Sequence, residues 1–205
     1  EAAFSMSEEQ HGHLLRVLKS RYRVLVSAGA AQTFAQMIRA GRRVIIPLYA
    51  ADVIGLDVQA IGLIIGISSA VDMTLFYPAG WIMDHLGRKR AIVPSFTLQT
   101  LGMFFVPFTG SFGALLGVAT LIGFGNGLGS GSMMTLGADL SPEEGRGEFL
   151  GVWRLIGDAG GMGGPLVVGM VADLVVLPMA AWAMAASGLM AALFFTFLVP
   201  ETLKR

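Results

Sequence analysis

The sequence predicts an all-α membrane protein with six transmembrane helices, and three observations carry this prediction. Hydrophobic residues make up 54% of the 205 residues and charged residues only 14%, whereas a soluble domain usually has about 25% charged residues. Six apolar segments are long enough to cross a hydrocarbon core of about 30 Å as helices. Among the connections between these segments, only alternate ones contain Lys or Arg, which is typical of a multi-pass protein.

The six predicted spans are separated by short connections. The polar segment before the first span lacks the basic, apolar and small-residue order of a cleaved signal peptide. The predicted spans are Tyr22–Ala51, Leu56–Ala79, Ala91–Phe108, Phe112–Leu136, Phe149–Asp173 and Pro178–Val199.

The basic residues predict the orientation of the spans. They precede the first span at 16–23, separate the second from the third at 88–90 and the fourth from the fifth at Arg146, and follow the sixth at 204–205. Since basic loops stay on the cytoplasmic side, both termini are predicted to be cytoplasmic, in a multi-pass protein of the cell membrane. Residues 1–21 are then a cytoplasmic linker, 22–199 the transmembrane domain and 200–205 a cytoplasmic tail.

Composition and spacing argue against several classes of function. Lys plus Arg equals Asp plus Glu, and the chain has no Cys, so a nucleic-acid partner and thiolate chemistry are not expected. The glycine-rich segment 123–132 lacks the GK[ST] ending of a phosphate-binding loop, so no nucleotide cofactor is expected. Its "GSGS" resembles the serine motif of rhomboid proteases, but no histidine follows His85 to act as a base. We therefore expect neither an enzyme nor a metal site.

Polar side chains inside the first span form one helical stripe. They are spaced by steps of three and four residues, which places them on one face, and such a face is too polar for lipid. An aqueous substrate pathway is one interpretation. Structural pairing of the arginines, including the neighbouring Arg42, with aspartates is the other. The stripe consists of Gln32, Gln36, Arg39 and Arg43.

Four further polar residues lie within later spans and are candidates for the same pathway. Asp72 has no partner within its own helix, so it either carries a proton or pairs with an arginine of the first span. Arg154 and Asp158 are one turn apart and can pair with each other. Asn126 lies within the glycine repeat Gly123, Gly127 and Gly131, whose four-residue spacing predicts close helix packing.

The connection between the second and third spans carries a specific motif, "GWIMDHLGRKR", which fits the pattern G-x-L-x-D-x-x-G-R-K with isoleucine in place of leucine. Together with "PLYAADVIGLD", "GADLSPEEGRGEFLGVWRLIGDAG" and "LVPETLKR", it resembles the major facilitator superfamily, in its multidrug-efflux-like branch. His85 departs from the arginine usual at its position. The motif residues are Gly80, Asp84, Gly87, Arg88, Lys89 and Arg90.

The resemblance implies a fold and an activity. It implies two inverted three-helix repeats and one six-helix half, the C-terminal one, because "PETLKR" resembles the end of a last helix. It also implies a secondary active transporter that exports small, possibly amphipathic molecules by alternating access. Its partners are then a small-molecule substrate, protons, the lipid bilayer and a complementary six-helix half. The alternative is a non-transporting subunit or a half that requires its complement.

The resemblance also implies a gate. Asp84 lies at a helix C-terminus, where the helix dipole disfavours a carboxylate. It is therefore expected to engage a helix N-terminus of the complementary half and hold the cytoplasmic side closed, while Gly80 and Gly87 allow tight turns. The basic residues that follow dock on helix ends or lipid phosphates. The alternative is that 88–90 form only an orientation signal.

Overall fold

A computed structural model describes residues 22–203, and the predicted linker 1–21 and the last two residues lie outside this range. The described residues form eight α-helices and one 3-10 turn, Val106–Phe108. In chain order, the helices are α1 (Tyr22–Asp52), α2 (Val58–Thr74), α3 (Phe76–His85), α4 (Arg88–Phe105), α5 (Phe112–Leu128), α6 (Ser132–Leu140), α7 (Arg146–Leu174) and α8 (Leu177–Phe197).

Five helical segments of the described chain are long and apolar enough to cross a membrane, namely α2 with α3, α4 with the 3-10 turn, α5 with α6, α7 and α8. Helix α1 has 31 residues, about 46 Å, so it also has the length of a span. Its glutamines and arginines lower its mean hydropathy. The predicted all-α membrane fold is therefore confirmed, with five apolar spans and a sixth that is more polar.

Two of the spans are predicted as continuous helices but are broken in the structure. The second span breaks at Leu75 and then runs on to His85, beyond the predicted end at Ala79. Pro78 explains this break, because proline cannot donate to the carbonyl of Thr74 four residues earlier. Gly80 lies within α3 with open space beside it, so its predicted role in a tight turn is wrong.

The fourth span breaks between Leu128 and Ser132. Gly131 adopts a φ of +72°, in the left-handed region that favours glycine. The expectation that Gly131 belongs to a packing repeat is wrong, because a Cβ atom at Gly131 would meet open space among the described residues. Gly123 and Gly127 do pack closely, against the backbone carbonyls of Ser68 and Asp72 on α2, as predicted.

The helices pair in a regular pattern. Helix α1 packs against α7 and α8, α4 packs against α5 and α8, and α2 packs against α5. Exchanging the first three spans with the last three leaves this set of pairings unchanged. Gly160 and Gly164 of α7 also allow a close approach, because they lie on the backbone of α1 at Thr33 and Met37. The polar stripe of α1 is thereby held at the centre of the bundle.

Candidate functional site

Three members of the predicted stripe line one cavity of about 440 Å³ between α1 and α7. They are Gln36, Arg39 and Arg43, and Asp158 faces them from α7. Gln32 does not line this cavity. It is buried and donates a hydrogen bond to the backbone carbonyl of Trp153 at 3.1 Å. Gln32, at one end of the stripe, is therefore buried in the helix packing, whereas Arg43, at the other end, is accessible.

A second cavity, of about 400 Å³, lies on the other side of α1, between α1, α2 and α5. Its polar lining comes from Arg42, Arg43, Ser68, Ser69 and Asp72. Arg43 lines both cavities and is exposed. This side chain is thus the point at which the two cavities meet.

Asp72 is the acidic group of the second cavity, and it is paired. One of its carboxylate oxygens accepts from the Arg42 guanidinium at 3.2 Å and from the Asn126 amide at 2.8 Å. The other oxygen is buried without a hydrogen-bond partner. The structure shows Asp72 paired with an arginine of the first span, which is one of the two roles that the sequence leaves open for it.

Arg39 is held by backbone and by an aromatic ring rather than by an acid. Its Nη2 donates to the carbonyl of Gly129 at 2.9 Å, where α5 ends, and the negative end of a helix dipole stabilises a cation. The guanidinium carbon lies 5.0 Å from the centre of the Phe96 ring. The Nε atom is buried without a partner. The break in the fourth span therefore presents a carbonyl to the stripe, a role that the sequence analysis missed.

The predicted pair of Arg154 and Asp158 lies on the outer face of α7. Their nearest charged atoms are 3.8 Å apart, and the side chains are 84% and 69% exposed. An exposed pair at this distance contributes little to stability. Both residues lie within an apolar span and are exposed, although Asp158 also borders the cavity between α1 and α7.

The motif residues form a cluster at one end of the bundle, which we call the charged end and define by Asp84, Arg88, Lys89, Asp139 and Glu201. The Arg88 guanidinium contacts Asp84 at 2.7 Å and Asp139 at 3.0 Å. The resemblance implies a helix N-terminus of another half as the partner of Asp84. Among the described residues, Asp84 pairs instead with Arg88. Asp84 remains 67% exposed.

Glu201 closes the charged end by capping α4. Its carboxylate accepts from the backbone N–H groups of Arg88 at 2.9 Å and Lys89 at 3.1 Å, which are unpaired donors of the first helical turn. Gly87, with a φ of +120°, brings the backbone against this carboxylate, so its predicted role in a turn is confirmed. The Lys89 ammonium donates to the Thr196 carbonyl at 2.8 Å. Arg90 is exposed, and no contact within 22–203 pairs it.

Asp139 and Glu201 are not among the site residues predicted from the sequence. The "PET" segment and the "GAD" segment were the available signals, since each places a carboxylate at the end of a span. Both carboxylates belong to one network, because the Thr202 hydroxyl donates to Asp139 at 2.8 Å while Glu201 caps α4.

The Glu201 cap is expected to weaken at acid pH. Partial burial raises the pKa of Glu201, but four backbone N–H donors outweigh it and lower the pKa below its usual value of 4.5. A carboxylate with a depressed pKa stabilises the fold above its unfolded pKa and loses that contribution as the pH falls through its folded pKa. Glu201→Gln should therefore lower the stability at neutral pH by about 1 kcal/mol, as for other N-cap changes.

Thermal unfolding of purified protein across a pH series measures this difference. The gap between the wild type and Glu201→Gln should close below pH 4.5. Glu144→Gln is the matched control, because Glu144 is exposed outside the cluster. A gap that stays constant with pH would contradict the charge-dependent cap.

Arginines along one helix, two polar cavities beside them and several apolar spans define a class of protein: a multi-pass membrane protein with a polar interior, as transporters have. The described residues contain no group of three or more metal-ligating side chains. Residues 28–205 match the family model described as Major Facilitator Superfamily. The chain belongs to the Major Facilitator Superfamily of membrane transporters.

Solved structures agree on the fold. A peptide transporter POT mutant in complex with sulfate superposes with a TM-score of 0.75 at 21% identity, over 85% of this chain and 37% of that one. A POT family transporter in complex with 5-aminolevulinic acid gives 0.74 at 16% identity, again over 85% and 37%. The TM-scores show a shared fold, and identities this low carry no information about a shared substrate.

One curated relative matches over a shorter stretch. The inner membrane metabolite transport protein YgcS of Escherichia coli (strain K12) is 41% identical over 71 residues, which are 35% of this chain and 16% of that protein. The chain therefore spans well under half the length of the transporters it matches.

Proposed function

We propose that this chain is one six-helix half, the C-terminal half, of a secondary active transporter that exports small molecules by alternating access in exchange for protons. A complementary six-helix half supplies the facing wall of the pathway. The observation that carries the proposal is the pair of polar cavities that meet at Arg43 in an otherwise apolar set of spans. The direction of export rests on the resemblance to the efflux-like branch.

The outer face of α7 supports the need for a second half. Arg154 and Asp158 are exposed in the middle of an apolar span, and charged groups at this depth almost always face a bundle interior or an aqueous cavity. The span formed by α2 and α3 is also the least buried within the chain. A complementary half packed on α2 and α7 would cover both surfaces and would enclose the Asp158 side of the first cavity.

The pairing of the helices supports two inverted three-helix repeats. Two structural repeats make equivalent contacts, so exchanging spans one to three with spans four to six must preserve the pairing. The described chain has this property, since the contacts of α1 with α7 and α8 are matched by those of α5 with α2 and α4. The repeat arrangement also places the two central helices, α1 and α5, at the polar site.

Asp72 is our candidate for the proton site. Its second carboxylate oxygen is buried and unpartnered, so it can accept a proton, and neutralising Asp72 would release Arg42 from the ion pair of 3.2 Å. A protonation event would then change the charge of the second cavity. We further propose that the charged end is cytoplasmic and serves as the gate, with Asp84 free on one side to engage the complementary half.

The gate is tested with Asp84→Asn in the complete transporter that carries this chain. Removing the charge should weaken cytoplasmic closure by about 0.3–2 kcal/mol, the range for charge–dipole contacts, and so favour the inward-open state. The readouts are the labelling rate of a cysteine introduced at Gln36 from the cytoplasmic side, which should rise, and the transport rate, which should fall. Asp52→Asn is the control, because Asp52 is the last residue of α1 and lies outside the charged end. Unchanged labelling and transport in Asp84→Asn would contradict the gate and would leave residues 88–90 with the role of an orientation signal only.

A further inference from the structure

The charges of the two cavities do not balance. Asp72 is matched by Arg42 at 3.2 Å, and Asp158 faces Arg154 at 3.8 Å. Arg39 and Arg43 line the cavities without a carboxylate partner among residues 22–203. With Arg154 counted beside Asp158, although it lines neither cavity, the polar site carries four arginines and two aspartates.

The two surplus arginines are placed as a binding pair. They are four residues apart on α1, so they lie on one face about 6 Å apart along the helix axis, and both line the cavity between α1 and α7. Arg39 is fixed by the Gly129 carbonyl and the Phe96 ring. Arg43 is exposed at the junction of the two cavities, and no hydrogen bond or ion pair within residues 22–203 holds it, which leaves its five donors available.

The rest of the lining favours an organic ligand. The cavity of about 440 Å³ falls in the size range of sites for small organic molecules. Gln36 supplies an amide beside the arginines, while Ala40 and Met162 supply apolar surface. A guanidinium binds the planar oxygens of a carboxylate, or those of a phosphate, through two parallel hydrogen bonds.

We propose that the site binds a small organic anion, with its anionic oxygens on Arg43 and Arg39 and its apolar body against Met162. This inference rests on the proposed transport function and names its substrate class. Asp72 and Asp158 line the same region, and because each already has an arginine partner, neither cancels the attraction of the surplus pair.

The test uses three probes of the same shape and different charge: benzoate, benzamide and benzylamine. Binding of each to the complete transporter, purified in nanodiscs, is measured by calorimetry at neutral pH. Benzoate should bind best, and its affinity should fall with added chloride. Arg43→Gln should weaken benzoate binding by about 10- to 100-fold, as expected for a lost charge-assisted contact.

Two further variants separate binding from folding. Arg43→Lys keeps the charge and should retain part of the affinity, whereas Arg23→Gln, an exposed residue near the start of α1, should leave it within about twofold, since a remote exposed charge is screened. The proposal would be overturned if benzylamine or benzamide bound as tightly as benzoate. So would unchanged benzoate affinity in Arg43→Gln, the result expected if Arg43 instead pairs with an acidic residue of the complementary half.

Uptake of the same probes into proteoliposomes distinguishes the two proposals. Benzoate uptake supports both of them. Uptake of benzylamine alone supports a transporter and overturns the anionic substrate. Arginine-dependent binding of benzoate without uptake of any probe supports the anion site and contradicts the transport function.

Discussion

Replacing Asp72 by alanine should produce the largest loss of stability among single changes at the polar site. The change leaves the Arg42 guanidinium, only 16% exposed, and the Asn126 amide without their shared acceptor. Breaking one partner out of a buried ion pair costs about 3–5 kcal/mol. Because the neighbouring cavity admits water, we expect the lower end, about 3 kcal/mol. The free energy of unfolding in detergent measures it.

A double-mutant cycle identifies the cause of this loss. Arg42→Ala alone leaves Asp72 unpaired and should also be damaging, but the double variant should recover part of the stability, because no unpaired charge remains. Losses that simply add would show that the two side chains do not interact. If Asp72 carries the proton, transport should fail in the two variants that lack it.

Replacing Gly160 by valine should disrupt the packing of α1 on α7. A Cβ atom at Gly160 would collide with the Thr33 carbonyl and would lie 2.8 Å from its Cα. Neither backbone atom can rotate away, so the helices must separate, at a cost of about 3 kcal/mol, the upper part of the range for overpacked cores. Thermal unfolding and the yield of monodisperse protein are the measurements.

Gly169→Val is the matched control on the same helix. Gly169 has open space where its Cβ would lie, so its stability should change by less than about 0.5 kcal/mol, as for other surface changes. Equal losses in Gly160→Val and Gly169→Val would mean that valine is harmful anywhere in α7. The close approach of the two backbones would then not be the cause.

The apolar spans could be predicted to within a few residues because membrane thickness fixes their length. Four of the six predicted spans begin and end within three residues of the observed bounds. The exceptions are the second and fourth spans, which continue to His85 and Leu140. The breaks escaped prediction because both lie inside apolar segments. At Leu75 the cause is a proline three residues later, and at Gly131 it is a positive φ.

The polar site was predictable in composition but not in pairing. The three- and four-residue steps place Gln36, Arg39 and Arg43 on one face, and the structure puts them in one cavity. Spacing along a single helix carries no information about partners on other helices. The Arg42–Asp72 pair was therefore only one of two open alternatives. The Gly129 carbonyl that holds Arg39 is a backbone group, which no residue pattern reveals.

The charged end shows the same limit. The motif located Asp84, Gly87 and Arg88, and Gly87 indeed forms the turn. Glu201 lies more than a hundred residues away along the chain, and its contact with the start of α4 depends on how α8 packs against α4.

The central claim is that the cavity at Gln36 and Arg43 opens alternately to the two sides of the membrane. The chain has no native Cys, so the labelling of Gln36→Cys by a membrane-impermeant thiol reagent, added to one side at a time in the complete transporter, measures access directly. We expect labelling from both sides, with Asp84→Asn increasing access from the cytoplasmic side and reducing it from the outside. Labelling from only one side, unaffected by Asp84→Asn, would contradict alternating access.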